Sequence, residues 1–405
     1  MLLIPEFKKR SLKGSIELPF SKSYSHRFLM MQALAGNQLP LGPVSDSNDT
    51  SVLLRALQQR QGVVNFEDAG TPLRFYLAYA ALKGLPVTIT AGEGLKGRPI
   101  KPVIHALEAL GAVFEFMQQP GSLPLKIIKG VNLSLNKASI DTDISSQFLS
   151  ALLLMAPAFD NGLKIESKGS RVAGPYIDMT LDAMQMAGIT TEIINNVYDV
   201  AKGEYKSTEK LMVPRDWSAA AFAYALAAAA DEADVFLPGL SLQSVQGDKA
   251  VAAIFNQLGI ATEVLSDGIR LKSGLPVVKI LQCDFIDTPD LFPAVAAACV
   301  CKGIDAVFTG VRNLVYKESN RILAMQYNLE QVGATITATD NNVLELKCNT
   351  STGAMNFKSF EDHRIIMACS IFAFKNNITF DEGSHVRKSF PGYWNTLHQL
   401  GLIME

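Results

Sequence analysis

The chain has 405 residues, 48% of them hydrophobic and 19% charged, with a formal net charge of −2. That length is more than one ordinary hydrophobic core accommodates, so a soluble protein of two domains is expected. The near-zero charge gives no general field for nucleic acid or an acidic membrane, no apolar run reaches the ~20 residues of a membrane span, and a cytoplasmic protein is expected. The five cysteines, Cys283, Cys299, Cys301, Cys348 and Cys369, are odd in number and lack paired metal-type spacing. Neither disulfides nor structural zinc are predicted.

Along the chain one phrase recurs: an apolar segment of helical period, a glycine, then a short strand-prone run. A weak copy, LRALQQRQGVVNF, turns at Gly62. Fuller copies are HALEALGAVFEF at Gly111, DAMQMAGITTEI at Gly188, AIFNQLGIATEV at Gly259, YNLEQVGATITA at Gly333 and WNTLHQLGLIME at Gly401. Each glycine is predicted to take the left-handed conformation that ends a helix before a strand. From Gly111 onward the copies are 68 to 77 residues apart, but only 49 separate Gly62 from Gly111. The expectation is an α/β protein of six units in two lobes, closed rather than solenoidal, with the first unit shortened. Any α/β protein also has helix–glycine–strand junctions, so the repeat alone names no fold.

Eight segments carry residues suited to chemistry. In PFSKSYSHRFLMMQALA a helix is predicted from near Tyr24; its start offers N–H groups and a positive dipole end, and Lys22 and Arg27 add charge suited to a phosphate. A capped helix with solvated basic residues fits the same letters. EDAGTPLRFYLA lets backbone approach a ligand at Gly70, with Arg74 one turn on, and AGEGLKGRPI places Arg98 in a glycine-rich loop. DTDISSQFLSALLLMAPAF clusters Ser145, Ser146 and Gln147 at an apolar helix start, where they cap the helix or bind a sugar-like phosphate. In CDFIDTPDLFPAVAAACV, Asp290 reads as an N-cap or as an ionised carboxylate available as a general base. VRNLVYKESNRILAM puts Lys317 and Arg321 near one face of a predicted helix with Glu318 beside them. FEDHRIIMACSIFAF brings Asp362, His363 and Arg364 to the front of another helix, and HVRKSFPGYW offers Arg387 and Lys388 before Pro391. Singly, solvated charges look the same.

Taken in order, SKSYSHR, AGTPLR, GRPI, SSQFLSALL, PYIDMT, DWSAA, QGD at Gln246 to Asp248, the Asp290 segment, KESNR, DHR and KSFP resemble the signature stretches of the enolpyruvyl transferases, in the branch acting on shikimate 3-phosphate. The resemblance spans nearly the whole chain. It implies a two-lobed inside-out α/β barrel of six βαβαββ-type repeats. Residues 20–213 would form the lobe for shikimate 3-phosphate, and residues 1–19 with 214–405 the lobe for phosphoenolpyruvate and the catalytic carboxylates, with the active site in the cleft between them. The implied reaction moves the enolpyruvyl group of phosphoenolpyruvate to the 5-hydroxyl of shikimate 3-phosphate. It also implies no metal or cofactor, no nucleic-acid or membrane partner, a monomer, and room for glyphosate in the phosphoenolpyruvate subsite.

Carried over residue by residue, the resemblance assigns Lys22, Ser23, Arg27, Ser145, Ser146, Gln147, Tyr176, Asn313 and Lys317 to shikimate 3-phosphate, with Ala173 at a further contact position. Lys22, Gly70, Arg98, Gln147, Arg321, Arg364 and Lys388 fall to phosphoenolpyruvate, with His363 in support. Asp290 is the expected acceptor of the 5-hydroxyl proton, and Glu318 the expected acid toward the methylene carbon. The chemistry asks for such a cast by itself. Both substrates bring a carboxylate and a phosphate, so several Arg and Lys must converge, and the addition needs one acid and one base.

Three positions depart from the family pattern. Asp68 stands where Asn is usual, Ala173 where a Ser usually contacts the shikimate phosphate, and PRDWSAA replaces a Gly-Asp pattern. The rivals are UDP-N-acetylglucosamine enolpyruvyl transferase, which usually carries a Cys ahead of its GARP-like segment, and a non-catalytic binding relative. AGEGLKGRPI has no Cys, and Lys22, Asp290, Glu318 and Lys388 are all retained.

Overall fold

The six repeat glycines all turn the chain as their sequence context requires, with φ between +68° and +92° at Gly62, Gly111, Gly188, Gly259, Gly333 and Gly401. The computed structural model describes residues 1–206, 211–340, 342–349 and 355–403, so Met404 and Glu405, which end the last copy, lie outside the described residues. The chain divides into two units, Phe20–Val213 and Met1–Pro19 with Pro214–Glu405.

In the Phe20–Val213 unit, Gly62–Asn65 runs parallel to Val87–Thr90, which pairs antiparallel with Leu125–Lys129, and that strand with Val113–Phe116. Lys137–Asp141, Leu163–Lys168, Val197–Val200 and Thr191–Ile194 repeat the order and directions. Between Phe20 and Gly62 the chain forms two helices, Lys22–Leu34 and Asn48–Gln58, and no strand.

The other unit follows the same plan with Ser11–Ser15, Glu232–Pro238, Gly268–Ser273 and Ile260–Leu265. Ile280–Asp284, Asp305–Thr309, Val343–Cys348 and Ala334–Asp340 repeat it once more. A smaller sheet joins Met355–Phe357 in parallel to Ile378–Phe380, with Leu2–Ile4 antiparallel on the far side. The protein is thus mixed α/β. Among the described residues the strands make separate small sheets, four of four strands and one of three.

The burial pattern follows from the sequence. Gly70–Lys83, Ser146–Met155, Trp217–Ala229, Phe292–Lys302 and His363–Cys369 are apolar on nearly every face and are buried along almost their whole length. Strands such as Leu163–Lys168 alternate buried and exposed residues instead, so one face packs inward and the other meets water. All five cysteines carry free thiols. No helix among the described residues is long and apolar enough to cross a membrane. Because the inner helices are clamped along their bodies, the residues on their first turns are fixed as well.

Gly259 tests the turn argument. A Cβ there would sit 2.6 Å from the Gly274 carbonyl oxygen at φ +87°. Gly259→Ala is expected to lower unfolding free energy by about 2 kcal/mol, read as a shifted denaturant midpoint with unchanged m-value.

Candidate active site

In the Phe20–Val213 unit the sequence-predicted residues collect at helix starts. Ser21 caps the Lys22–Leu34 helix, its side chain accepting from Tyr24 N. Lys22 Nζ then lies 3.0 Å from Asp49 Oδ2, both side chains largely buried. Arg27, one turn on, is buried and makes four hydrogen bonds: from Nε to Thr180 Oγ1 at 2.7 Å, Nη1 to the Ser23 carbonyl at 2.8 Å, and Nη2 to the Tyr176 carbonyl at 2.6 Å and Ser150 Oγ at 3.3 Å. Its guanidinium also stands over the Phe75 ring, 5.5 Å from the centroid. Arg27 thereby ties three helices together, Lys22–Leu34, Ser146–Met155 and Gly174–Met186.

Ser145 caps the helix Ser146–Met155 by accepting from Gln147 N, and Ser146 is buried behind it. Arg74 Nη1 donates to Gln147 Oε1 at 2.7 Å, and its Nη2 to the Pro99 carbonyl at 2.9 Å. Gly70 opens its helix with no room beside it: an added Cβ would be 2.9 Å from Arg74 Nη1 and 3.0 Å from Arg98 Nη1. The two guanidiniums therefore crowd the first turn of that helix. Asp68 lies against the neighbouring loop, where a Cβ on Gly92 would meet its Oδ1 at 2.8 Å. Ala173 precedes the helix Gly174–Met186 in the left-handed region, at φ 54° and ψ 47°, a conformation strained for a residue with a Cβ.

The second unit gathers the acids. Asp290 is held by three cations: Arg321 Nη1 donates to Oδ1 at 2.7 Å, Arg364 Nη2 to Oδ2 at 2.9 Å, and Lys317 Nζ lies 3.5 Å from Oδ1. Arg321, 1% exposed, also donates from Nη2 to Glu318 Oε2 at 2.7 Å and from Nε to Asp362 Oδ2 at 2.9 Å. Asp362 caps the helix His363–Cys369 by accepting from Arg364 N. His363 is buried with Nδ1 3.6 Å from Asp362 Oδ1. Asn313 is buried on the 3₁₀ helix Arg312–Tyr316, and its side-chain oxygen meets no partner among the described residues. Lys388 ends the short helix Ser384–Lys388, which packs against the helix carrying Arg364.

Charge state follows from these contacts. Burial works against an ionised Asp290, but Arg364, Lys317 and Arg321 outweigh it and hold the carboxyl well below the usual range. Burial lowers Lys317, with Asp290 opposing. Arg321 is pushed above its ordinary range: burial opposes this, and Asp362, Glu318 and Asp290 overcome it. Burial brings Arg27 down to about 10. Asp248 goes the other way. Burial and the Asp290 charge raise it to about 6. Among the described residues no group of three or more His, Cys, Asp or Glu is placed to hold a metal ion.

Two local expectations need correction. Asp290 is not an N-cap: the helix Phe292–Lys302 begins after Leu291, with no side-chain cap, and the carboxylate turns to the cations instead. Nor are Lys317 and Arg321 on one helical face, since the helix starts at Arg321 with Asn320 as its cap. Sequence reasoning also missed Asp49 as the partner of Lys22, and Asp248 except as part of a motif. Asp49 shares a predictable helix start with Ser47, but nothing in the sequence connects it to Lys22.

The chain matches the family model described as EPSP synthase (3-phosphoshikimate 1-carboxyvinyltransferase) over residues 58–397. A protein named 3-phosphoshikimate 1-carboxyvinyltransferase from Bacteroides fragilis strain YCH46 is 35% identical over 393 residues, covering 96% of each chain. One of the same name from Methanocorpusculum labreanum is 30% identical, covering 98% of each. The solved EPSP synthase from Acinetobacter baumannii superposes with a TM-score of 0.73 over 100% of this chain and 98% of that one, at 22% identity, a likeness of fold.

His26, wholly buried behind Lys22 with Nε2 3.3 Å from Thr50 Oγ1, supplies a test of this packing. Burial pushes its imidazole down to about 3; Asp49 pulls the other way, and Lys22 and Arg27 add to the fall. A depressed histidine stabilises the fold above its unfolded pKa of ~6.5, and that contribution is lost as pH falls from there toward 3. His26→Gln is expected to flatten the loss of stability over this window by up to about 5 kcal/mol, read from denaturant midpoints at several pH values. An unchanged pH slope would contradict it.

Proposed function

The chain belongs to the EPSP synthase family, and from that premise we propose how its residues divide the work of the reaction. The reaction is that of a 3-phosphoshikimate 1-carboxyvinyltransferase: the enolpyruvyl group of phosphoenolpyruvate passes to the 5-hydroxyl of shikimate 3-phosphate and phosphate leaves, in the shikimate pathway to aromatic amino acids.

Lys22, Ser23, Arg27, Ser145, Ser146, Gln147 and Tyr176 hold shikimate 3-phosphate. The tie that Arg27 makes between the helices carrying Ser23, Ser146 and Tyr176 supports this reading. Ala173, having no hydroxyl, contributes backbone alone. Asn313, whose buried oxygen is an acceptor suited to a sugar hydroxyl, and Lys317 complete that set. Gly70, Arg98, Arg321, Arg364 and Lys388, with Lys22 and Gln147, hold phosphoenolpyruvate.

The observation that carries the mechanism is Arg321, one buried guanidinium donating to both Asp290 and Glu318. Asp290, ionised, accepts the proton of the 5-hydroxyl as that oxygen attacks the enol carbon, while Glu318, protonated from solvent once phosphoenolpyruvate draws Arg321 from it, gives that proton to the methylene. The product is a tetrahedral adduct bearing the phosphate. Loss of phosphate, which leaves with the proton held on Asp290, and return of a methyl proton to Glu318 restore the double bond and both starting protonation states. As the phosphate draws Arg321 and Arg364 toward itself, Asp290 loses part of its counter-charge and becomes a stronger base. Positioning and fixed positive charge supply the catalysis.

We read the four matching sheets as complete βαβαββ repeats, the three-stranded sheet as a fifth, and Phe20–Gln58 as a sixth reduced to its helices; buried helices and half-exposed strands support an inside-out arrangement. The substrates are phosphorylated anions that do not cross membranes unaided, which supports a cytoplasmic location. A cysteine-free AGEGLKGRPI segment speaks against UDP-N-acetylglucosamine as acceptor.

Phosphate release from phosphoenolpyruvate is expected only with shikimate 3-phosphate; release with UDP-N-acetylglucosamine instead, or with neither, overturns the reading. Asp290→Asn and Glu318→Gln are each expected to lower kcat by roughly 10²-fold or more with the fold intact by circular dichroism. Gly70→Ala, by displacing the Arg98 and Arg74 guanidiniums, should raise KM for phosphoenolpyruvate roughly tenfold with a smaller effect on kcat. An unchanged KM would separate Gly70 from that subsite.

A further inference from the structure

Two adjacent residues, Phe360 at φ +50° and Glu361 at φ +55°, take the left-handed backbone region just ahead of Asp362. Residues with a Cβ seldom do so, and they persist there only where their surroundings hold them. Among the described residues one other adjacent pair does it, Asn195–Asn196, at the two-residue hairpin between Thr191–Ile194 and Val197–Val200, where asparagine is a favoured choice. Phenylalanine and glutamate have no such preference. Glu361 is exposed, so burial of its side chain does not account for the conformation either.

What holds the turn is the helix Arg321–Glu330. Asn328, wholly buried and seven residues after Arg321 on the same helical face, grips both backbone groups of Lys358: its Nδ2 donates to the carbonyl at 2.9 Å, and its Oδ1 accepts from the N–H at 2.9 Å. Beside it the Tyr327 ring meets the Phe360 ring edge to face, centroids 5.7 Å apart, and lies 4.7 Å from Lys358 Nζ. At the start of the helix Arg321 Nε donates to Asp362 Oδ2 at 2.9 Å, joined by Ser319 Oγ at 3.1 Å. Residues 358–362 therefore run antiparallel along two turns of that helix and are fastened at both ends. From the other side, Ser359 N donates to Asp381 Oδ1 at 2.7 Å, and the Ser359 carbonyl accepts from Asp362 N at 3.0 Å.

We propose that Asn328 and the left-handed turn Phe360–Glu361 are positioning elements of the phosphoenolpyruvate subsite. Asn328 fixes where the segment enters, and the turn delivers Asp362 to Arg321. Because Asp362 also caps the next helix by accepting from Arg364 N, the same turn sets where Arg364 begins. The proposal rests on Arg321 and Arg364 as residues that hold phosphoenolpyruvate. A φ of the usual sign at Glu361 would send the chain off in another direction, and Asp362 could not then both meet Arg321 and cap the helix of Arg364. The strained conformation is kept because the contacts of Asn328, Tyr327 and Arg321 together outweigh it.

The test measures kcat by phosphate release, KM for phosphoenolpyruvate at saturating shikimate 3-phosphate, KM for shikimate 3-phosphate, and the denaturant midpoint. Glu361→Val puts a β-branched residue in the left-handed region; it is expected to lower the midpoint and raise KM for phosphoenolpyruvate roughly tenfold, with KM for shikimate 3-phosphate within about twofold of the wild type. Asn328→Leu, of similar size but able to make neither bond to Lys358, should do the same. Glu361→Asn, which tolerates the left-handed region, should raise the midpoint and restore the wild-type KM that valine loses. A Glu361→Val or Asn328→Leu enzyme that is destabilised yet keeps its KM for phosphoenolpyruvate overturns the proposal, since a merely structural turn behaves that way. So does a Glu361→Asn enzyme no more stable than the wild type, because the turn then carries no strain. If one of the two disruptive variants fails to fold, the other decides by the same criterion. Arg364→Lys separates the premise from the proposal: an unchanged KM for phosphoenolpyruvate there removes the subsite assignment, whereas a raised one beside wild-type values in Glu361→Val and Asn328→Leu overturns the proposal alone.

Discussion

A guanidinium taken out of water must be matched by charge and hydrogen bonds at once, and the cluster around Asp290 is organised around meeting that demand for Arg321. Its Nε, Nη1 and Nη2 each donate to a different carboxylate, on Asp362, Asp290 and Glu318. Arg364 and Lys317 supply the remaining positive charge, so three acids face three bases and the cluster is neutral as a set. Every member has its place dictated by the others. Asp362 is fixed twice over, since it also caps the helix that carries Arg364. Two acids assigned opposite proton-transfer roles are thus held from one rigid point, which is what catalysis by positioning requires.

The other unit solves a related problem with neutral partners. Arg27 is matched by two carbonyls and two hydroxyls rather than by carboxylates, and it keeps its charge. An uncompensated positive charge suits a pocket for an anionic sugar, whereas a neutral cluster suits groups that must trade protons. The difference between the two sites is therefore one of bookkeeping in charge, not of residue type. Lys22 is intermediate: it is paired with Asp49, and His26 behind it stays neutral because burial forbids a further cation there.

Much of this was legible in the sequence where the signal is local. Ser21, Ser145 and Asp362 cap helices as polar residues ahead of apolar runs do, and five of the six repeat glycines, all but Gly401, turn where a helix passes into a strand. Asp290 was legible as a functional candidate but not as what it is structurally, because its partners Arg321 and Arg364 lie 31 and 74 residues away. The KESNR segment misled for the opposite reason. Three- and four-residue spacing suggests a helical face, yet the Asn320 cap delays the helix until Arg321. The Lys22–Asp49 pair joins two helix starts that no periodicity connects, and the burial that sets Asp248 apart is a property of the packed turn, invisible in three letters.

The inner helices have one more implication. Their bodies form the hydrophobic core, and their first turns, or the residues just ahead of them, carry the residues proposed for the site, as with Gly70, Ser146, Asp290 and Arg364. Adaptive change in such a protein is steered away from its interior, because a side chain altered in a helix body moves the reactive end with it. Latitude for divergence lies on the watered faces of the strands, and relatives that share little else would keep the same ends of the same helices.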